Sequence, residues 1–121
     1  MKCRLVVFLS LVALAGCMNM PTPPAQITGA YVSSVRYNDM NCSWLGNEMD
    51  ALARRENQLV VAQEQRIKTS QVQAFWWGYG QGDGIEASEL ANIRGEREAV
   101  RTALERKQCV QEKDNNGTAV K

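Results

Sequence analysis

The sequence contains no histidine, only three prolines, and an almost even balance of charge. Without histidine the chain lacks the usual general base of a catalytic triad and one of the commonest zinc ligands. The 14 Lys and Arg residues nearly balance 13 Asp and Glu residues, so the net charge offers no electrostatic attraction for nucleic acid. At 121 residues there is room for one small domain. We therefore expect a protein that is not an enzyme and that holds no metal or cofactor.

The N-terminus has the pattern of a secretory signal peptide. Residues 1–4 carry two basic side chains, and an apolar stretch of residues 5–14 follows. A membrane-spanning helix needs about 20 apolar residues, so this stretch is too short to favour a retained span. The motif that follows, Leu14-Ala15-Gly16-Cys17, resembles a bacterial lipobox. The alternative is an ordinary signal peptide that happens to contain a cysteine.

The lipobox resemblance implies a lipid anchor on Cys17. It implies cleavage before Cys17, diacylglycerol on the thiol, and a fatty acid such as palmitate on the new amino group. Two or three chains hold a protein on a bilayer far more firmly than one. Residue 18 is Met rather than the aspartate that retains many such proteins in the inner membrane. We therefore expect an outer-membrane location with the chain facing the periplasm.

Of the four cysteines, Cys3 would leave with the signal peptide and Cys17 would carry the lipid, so Cys42 and Cys109 form an even pair in an oxidising compartment. We expect a disulfide between them, and the alternative is two free thiols. Two cysteines without histidine or a CxxC motif do not complete a zinc site. The covalent lipid on Cys17 is then the one attached group that the sequence predicts.

Hydrophobic spacing predicts an all-α fold, a long antiparallel two-helix hairpin similar to a coiled coil. One apolar stripe runs from Ser43 to about Ser70 and another from Asp83 to about Cys109. Asp83 and Glu86 have the spacing of an N-terminal capping box for the second helix. The stripes contain Leu45, Met49, Leu52, Ala53, Leu59, Val60 and Ile67, then Ala87, Leu90, Ile93, Val100, Ala103 and Leu104.

The chain divides into five predicted parts. A signal peptide (1–16) and a lipidated cysteine with a flexible tether (17–30) precede a short extended segment (31–41). The tether contains all three prolines. The disulfide-stapled hairpin (42–109) and a disordered tail (110–121) follow.

The two cysteines also predict the register of the hairpin. If Cys42 faces Cys109, the numbers of facing residues sum to about 151, and the turn centres on Phe75 and Trp76 between helices of nearly equal length. This register brings Glu56 near Arg97, and both interrupt the apolar stripes. We predict an interhelical ion pair there, which would specify register more than it stabilises. The alternative is two unrelated solvated charges.

An aromatic run (Phe75, Trp76, Trp77 and Tyr79) lies where the turn is expected. Two helices cannot bury four aromatic rings at a turn, so we predict a contact site for a membrane interface or a protein partner. The alternative is packing of the rings on their own helix ends.

The glycines that alternate from 78 to 84 lack the Gly-Lys of a phosphate loop and the carboxylates of a calcium loop, so they predict a flexible turn.

Residues 31–109 resemble a widespread group of small, uncharacterised proteobacterial lipoproteins. The pattern begins with Tyr31-Val32-Ser33 and ends at Lys107 and Cys109. Family members often have an apolar, proline-containing turn, which the aromatic run replaces here. The resemblance implies a coiled-coil-like hairpin in the cell envelope. Its other matching positions are Tyr37, Cys42, Leu45, Glu48, Glu89-Leu90-Ala91 and Gly95-Glu96.

These features favour a non-enzymatic envelope lipoprotein that serves as an adaptor or structural subunit. The expected partners are the membrane, through the lipid, and an envelope protein. The interruptions in the apolar stripes also suggest that two copies of the hairpin associate into a four-helix bundle. The alternative is a membrane-bridging component of a secretion, conjugation or phage-lysis system, with the turn touching the opposite membrane. An inhibitor of a cell-wall enzyme is a weaker third reading.

Overall fold

The computed structural model describes residues 19–109 and shows the predicted helical hairpin. Helix α1 spans Cys42–Trp77 and helix α2 spans Ile85–Arg106, and the two pack antiparallel. Short 3-10 turns at Pro24–Gln26 and Ser34–Tyr37 precede them, and residues 19–109 contain no strand. The all-α hairpin is thereby confirmed. The predicted signal peptide, lipidated Cys17 and disordered tail lie outside the described residues.

Local hydrogen bonds explain where α1 begins and ends. The side chain of Asn41 accepts a hydrogen bond from the Trp44 amide at 2.8 Å, which caps the first turn. Gly78 ends the helix with φ at 80°, and its N–H donates to the Ala74 carbonyl at 2.9 Å. Glycine adopts this left-handed conformation without steric cost because it has no side chain. Gly78 is the first glycine after Gly46, and it therefore sets the end of α1.

The two helices differ in length, contrary to the near-equal lengths expected. Helix α1 has 36 residues and α2 has 22, or about 54 and 33 Å. The turn is also not centred on Phe75 and Trp76, because α1 continues through both. The chain then doubles back, and the Gln81 amide donates to Ser70 Oγ at 3.3 Å. The last two turns of α1 therefore project beyond the point where the chain returns.

The disulfide end of the hairpin holds the main apolar core. Cys42 and Cys109 are bonded, with 5.5 Å between their Cα atoms, which confirms the predicted disulfide. Farther along, Arg66 pairs with Glu86, in the register that the cysteines predict. The buried side chains next to the disulfide are Tyr37, Leu45, Leu52, Ala99, Val100 and Ala103.

Residues 19–41, here called the N-terminal segment, lie along the whole hairpin from its loop end to its disulfide end. The Gly82 amide donates to the Asn19 carbonyl at 2.8 Å, and the Ala30 amide donates to the Ala91 carbonyl at 2.8 Å. This arrangement differs from the flexible tether expected over residues 17–30. The reason is that hairpin groups bond the backbone of the segment, a source of order that composition does not reveal.

Two glycines allow the N-terminal segment to cross α2 closely. A Cβ atom on Gly95 would lie 1.9 Å from the Ala30 carbonyl oxygen, and one on Gly29 would lie 3.0 Å from the Gly95 nitrogen. Gly95 therefore occupies a helical position where any side chain would collide with the crossing backbone. The role of Gly95 becomes visible only when the two backbones are placed together.

Residues 34–37 also depart from the extended conformation expected over 31–41. They form a 3-10 turn because the Ser33 side chain accepts from the Val35 amide at 3.4 Å. Tyr37 then packs into the core, whereas Tyr31 and Val35 point to solvent. In an extended strand Tyr31, Val35 and Tyr37 would share one face, whereas in the structure they have different environments.

Candidate functional site

Glu56 lies between two arginines at the centre of the hairpin. Arg94 Nε donates to Glu56 Oε1 at 2.9 Å, and Arg97 Nη1 donates to the other carboxylate oxygen. The structure thus contains the ion pair that the register predicted, together with a second arginine that the sequence reasoning missed. Burial raises the pKa of Glu56, but the bonds from Arg94 and Arg97 outweigh it and hold the pKa below its usual value.

Arg94 extends this ion pair to the N-terminal segment. Its Nη1 donates to the Pro24 carbonyl at 2.6 Å and also to the Ile27 carbonyl. One guanidinium therefore joins α1, α2 and the N-terminal segment, which suits the fixed fork of donors on arginine. These bonds stabilise the packing of the three elements at the centre of the hairpin.

A second polar cluster closes the loop end of the hairpin. Asp83 accepts from the Thr22 amide at 2.6 Å, from the Thr22 hydroxyl at 2.5 Å, and from Gln63 Nε2 at 3.0 Å. Gln63 is fully buried and also donates to the Thr22 carbonyl at 2.9 Å. The bond from the Thr22 hydroxyl is the main reason that the pKa of Asp83 lies below its usual value.

These bonds replace the capping box predicted for α2. The N-cap residue is Gly84, which has no side chain to donate or accept. Asp83 is directed to Thr22, and Glu86 is directed to Arg66, whose Nε and Nη2 donate at 3.0 and 3.1 Å. The spacing of the two acids is right for a capping box, but partners on α1 and the N-terminal segment compete successfully for both carboxylates.

The aromatic run projects from the loop end into solvent. Phe75, Trp76 and Trp77 form the last turn of α1, and Tyr79 follows in the loop. Their exposed fractions are 81, 73, 74 and 65% in chain order. Phe75 and Trp76 contact each other edge to face at 5.4 Å, but the hairpin covers none of the four rings. This is the exposed arrangement that a contact site requires.

A second exposed surface lies beside the N-terminal segment. An open groove runs between residues 29–35 and α2, and its walls include Arg94, Glu98 and Arg106. Tyr31, 93% exposed, stands at its edge. The sequence did not predict this surface, because the path of residues 29–35 beside α2 depends on backbone contacts that side-chain patterns do not report.

Over residues 19–109, no three Cys, Asp or Glu residues gather closely enough to hold a metal ion. In the same range neither helix is apolar over a length that could cross a membrane. No protein-family model matches the chain, and comparison with curated proteins and with solved structures returns no match.

Proposed function

We propose that this chain is a lipid-anchored lipoprotein of the bacterial outer membrane that faces the periplasm and acts as a non-enzymatic adaptor or structural subunit. The observation that carries the proposal is the lipobox-like Leu14-Ala15-Gly16-Cys17 after a charged start and a short apolar stretch. Met18 supports the outer membrane over the inner one. The resemblance of residues 31–109 to small proteobacterial lipoproteins points to the same location.

The form of the hairpin supports a binding role. Adaptors benefit from rigid surfaces, because less conformational entropy is lost when a partner binds. The Cys42–Cys109 disulfide closes one end, and the Thr22–Asp83 contact closes the other. Between them Arg94 joins all three elements of the fold. The rigid body leaves two exposed surfaces, the aromatic run and the groove beside Tyr31.

The lipid anchor is tested by metabolic labelling with an alkyne analogue of palmitate. We expect the label on the full-length chain and its loss in Cys17→Ser. A Met18→Asp variant controls for location, because it should keep the label and move the protein from outer to inner membrane fractions. Absence of label on the parent chain would overturn the proposal.

The adaptor role is tested by photo-crosslinking in cells from a probe at Tyr31, with Cys17 intact. We expect one dominant protein adduct, identified by mass spectrometry. A probe at Asn57, on the exposed face of α1, is the matched control and should give little of that adduct. No protein adduct from Tyr31, or equal adducts from both positions, would count against the groove as the partner surface.

A further inference from the structure

The aromatic run belongs to a long uncharged stretch. Residues 69–82 contain no charged side chain, although 22% of all residues are charged. The stretch contains two tryptophans, a tyrosine and a phenylalanine, all largely exposed, and Val72 and Ile85 beside them are exposed as well. Tryptophan and tyrosine without charge are typical of the region where lipid headgroups meet the hydrocarbon core. Protein-binding sites, in contrast, are enriched in arginine as well as aromatic residues.

The start of the N-terminal segment lies at the same end of the hairpin. The Asn19 carbonyl accepts from the Gly82 amide at 2.8 Å, and Met20 Sδ lies 3.1 Å from the Cβ position of Gly80. The Thr22 amide is held on Asp83 at 2.6 Å. Cys17 is two residues before Asn19, and two peptide units span at most about 7 Å. The described part of the chain therefore begins at the loop end, two residues after Cys17.

We propose that the aromatic run inserts into the headgroup region of the same bilayer that holds the lipid on Cys17. The inference rests on the proposed lipid anchor and adds a second attachment to it. The occupant is a lipid surface, because Asn19 is bonded to Gly82 and an acyl chain only two residues before Asn19 would bring a bilayer to this end of the hairpin. The rings are already exposed there, so insertion requires no rearrangement of the described residues.

The double attachment orients the molecule. Helix α1 then points its C-terminal end at the membrane and carries the disulfide end away from it, by about 54 Å along the helix axis. A turn that reaches the opposite membrane would need the anchor at the other end of the hairpin. The position of Asn19 therefore favours one membrane over a bridge between two, and it leaves the groove beside Tyr31 open to a periplasmic partner.

The test uses the three tryptophans as reporters of depth. The full lipidated chain is reconstituted into phosphatidylethanolamine and phosphatidylglycerol vesicles whose acyl chains carry bromine, which quenches tryptophan emission on contact. A Trp44→Phe variant reports Trp76 and Trp77. A double variant with Trp76→Phe and Trp77→Phe reports Trp44, which lies about 48 Å away along α1 and is the matched control. Circular dichroism verifies that both variants retain the helical fold.

We expect the Trp44→Phe protein to lose most of its emission in brominated vesicles, with a blue shift, and the double variant to be almost unchanged. Mass spectrometry of the same samples reports the lipid on Cys17, so a failed anchor is seen separately. Lipidated protein without quenching at Trp76 and Trp77 would overturn the insertion and leave the anchor standing. A blue shift without quenching that grows with protein concentration would instead show that a second copy covers the rings, and would also overturn it.

A second vesicle experiment distinguishes insertion into the anchoring membrane from bridging between two membranes. The lipidated Trp44→Phe protein is anchored in vesicles without bromine, and brominated vesicles are then added. We expect no quenching, because the rings already lie in the anchoring bilayer. Quenching by the added vesicles would overturn the proposal in favour of bridging.

Discussion

The carbonyl oxygen of Ala30 lies 1.9 Å from the position that a Cβ atom on Gly95 would occupy. The Ala30 amide, in turn, donates to the Ala91 carbonyl, one helical turn earlier. Backbone atoms of the N-terminal segment thus lie directly against the backbone of α2, at a position where α2 has no side chain. The crossing lies between Asn19, which is at the loop end, and Tyr37, which enters the core at the disulfide end.

Gly95→Ala is expected to lower the free energy of unfolding by about 1–3 kcal/mol, because the Ala30 carbonyl must move away from the new methyl group. Alanine is intrinsically better in a helix than glycine by about 1 kcal/mol, so the measured loss already includes that gain. The matched control is Gly46→Ala in α1, where nothing lies within 4 Å of the new methyl. This control should gain about 0.5–1 kcal/mol in urea unfolding. Similar effects of the two substitutions would contradict the close crossing.

Glu56→Gln is expected to cost about 1–3 kcal/mol at pH 7, because it removes the charge that Arg94 and Arg97 share. The lowered pKa of Glu56 means that the native protein holds the carboxylate more firmly ionised than the unfolded chain does. Its contribution is therefore complete above the ordinary glutamate pKa and is lost as the pH falls through the folded value. Thermal unfolding between pH 7 and 3 should show the two proteins converging in acid.

The control for this series is Glu98→Gln, since Glu98 is exposed and pairs with Arg101 on its own helix. An exposed pair of this kind contributes about 0–1 kcal/mol. If the thermal stability of Glu98→Gln and that of Glu56→Gln depend on pH in the same way, the Glu56 ion pair contributes no more to stability than an exposed pair does.

Loss of the disulfide is expected to cost about 4 kcal/mol, because Cys42 and Cys109 close a loop of 67 residues in the unfolded chain. The measurement is urea unfolding of the oxidised protein against the double variant Cys42→Ser and Cys109→Ser. The oxidised protein after addition of reductant is the internal control and should match the variant. A difference below about 1 kcal/mol would mean that helix packing alone holds this end.

Asp83→Ala is expected to release the start of the N-terminal segment, because Thr22 then loses both of its hydrogen bonds to the Asp83 carboxylate. Hydrogen exchange should accelerate at the Thr22 amide and stay unchanged in the apolar core near Ala99. Because the pKa of Asp83 is lowered in the folded protein, the parent chain should show the same release as the pH falls through that value. Asp50→Ala, on an exposed part of α1, should leave the exchange of Thr22 unchanged. Slow exchange at Thr22 in Asp83→Ala would show that other contacts hold the segment.

Much of the hairpin could be predicted from local signals. Apolar spacing indicated both helices, although the first continues to Trp77 rather than ending near Ser70, and the cysteine pair implied the register in which Glu56 meets Arg97. The exposure of the aromatic run followed from counting rings against the surface that two helices offer. Each of these inferences depends on side-chain type and spacing, which a sequence states directly.

The sequence by itself determined that this protein is a disulfide-closed helical hairpin with aromatic side chains at its loop end, because helix periodicity and glycine breaks are local properties of the chain. Only the tertiary structure decided that residues 19–41 lie along the hairpin and that Asn19 stands beside Gly82. The segment makes most of those contacts through its backbone amides and carbonyls, and every residue type carries the same carbonyl. For that reason the contacts leave little mark in the sequence of the segment itself.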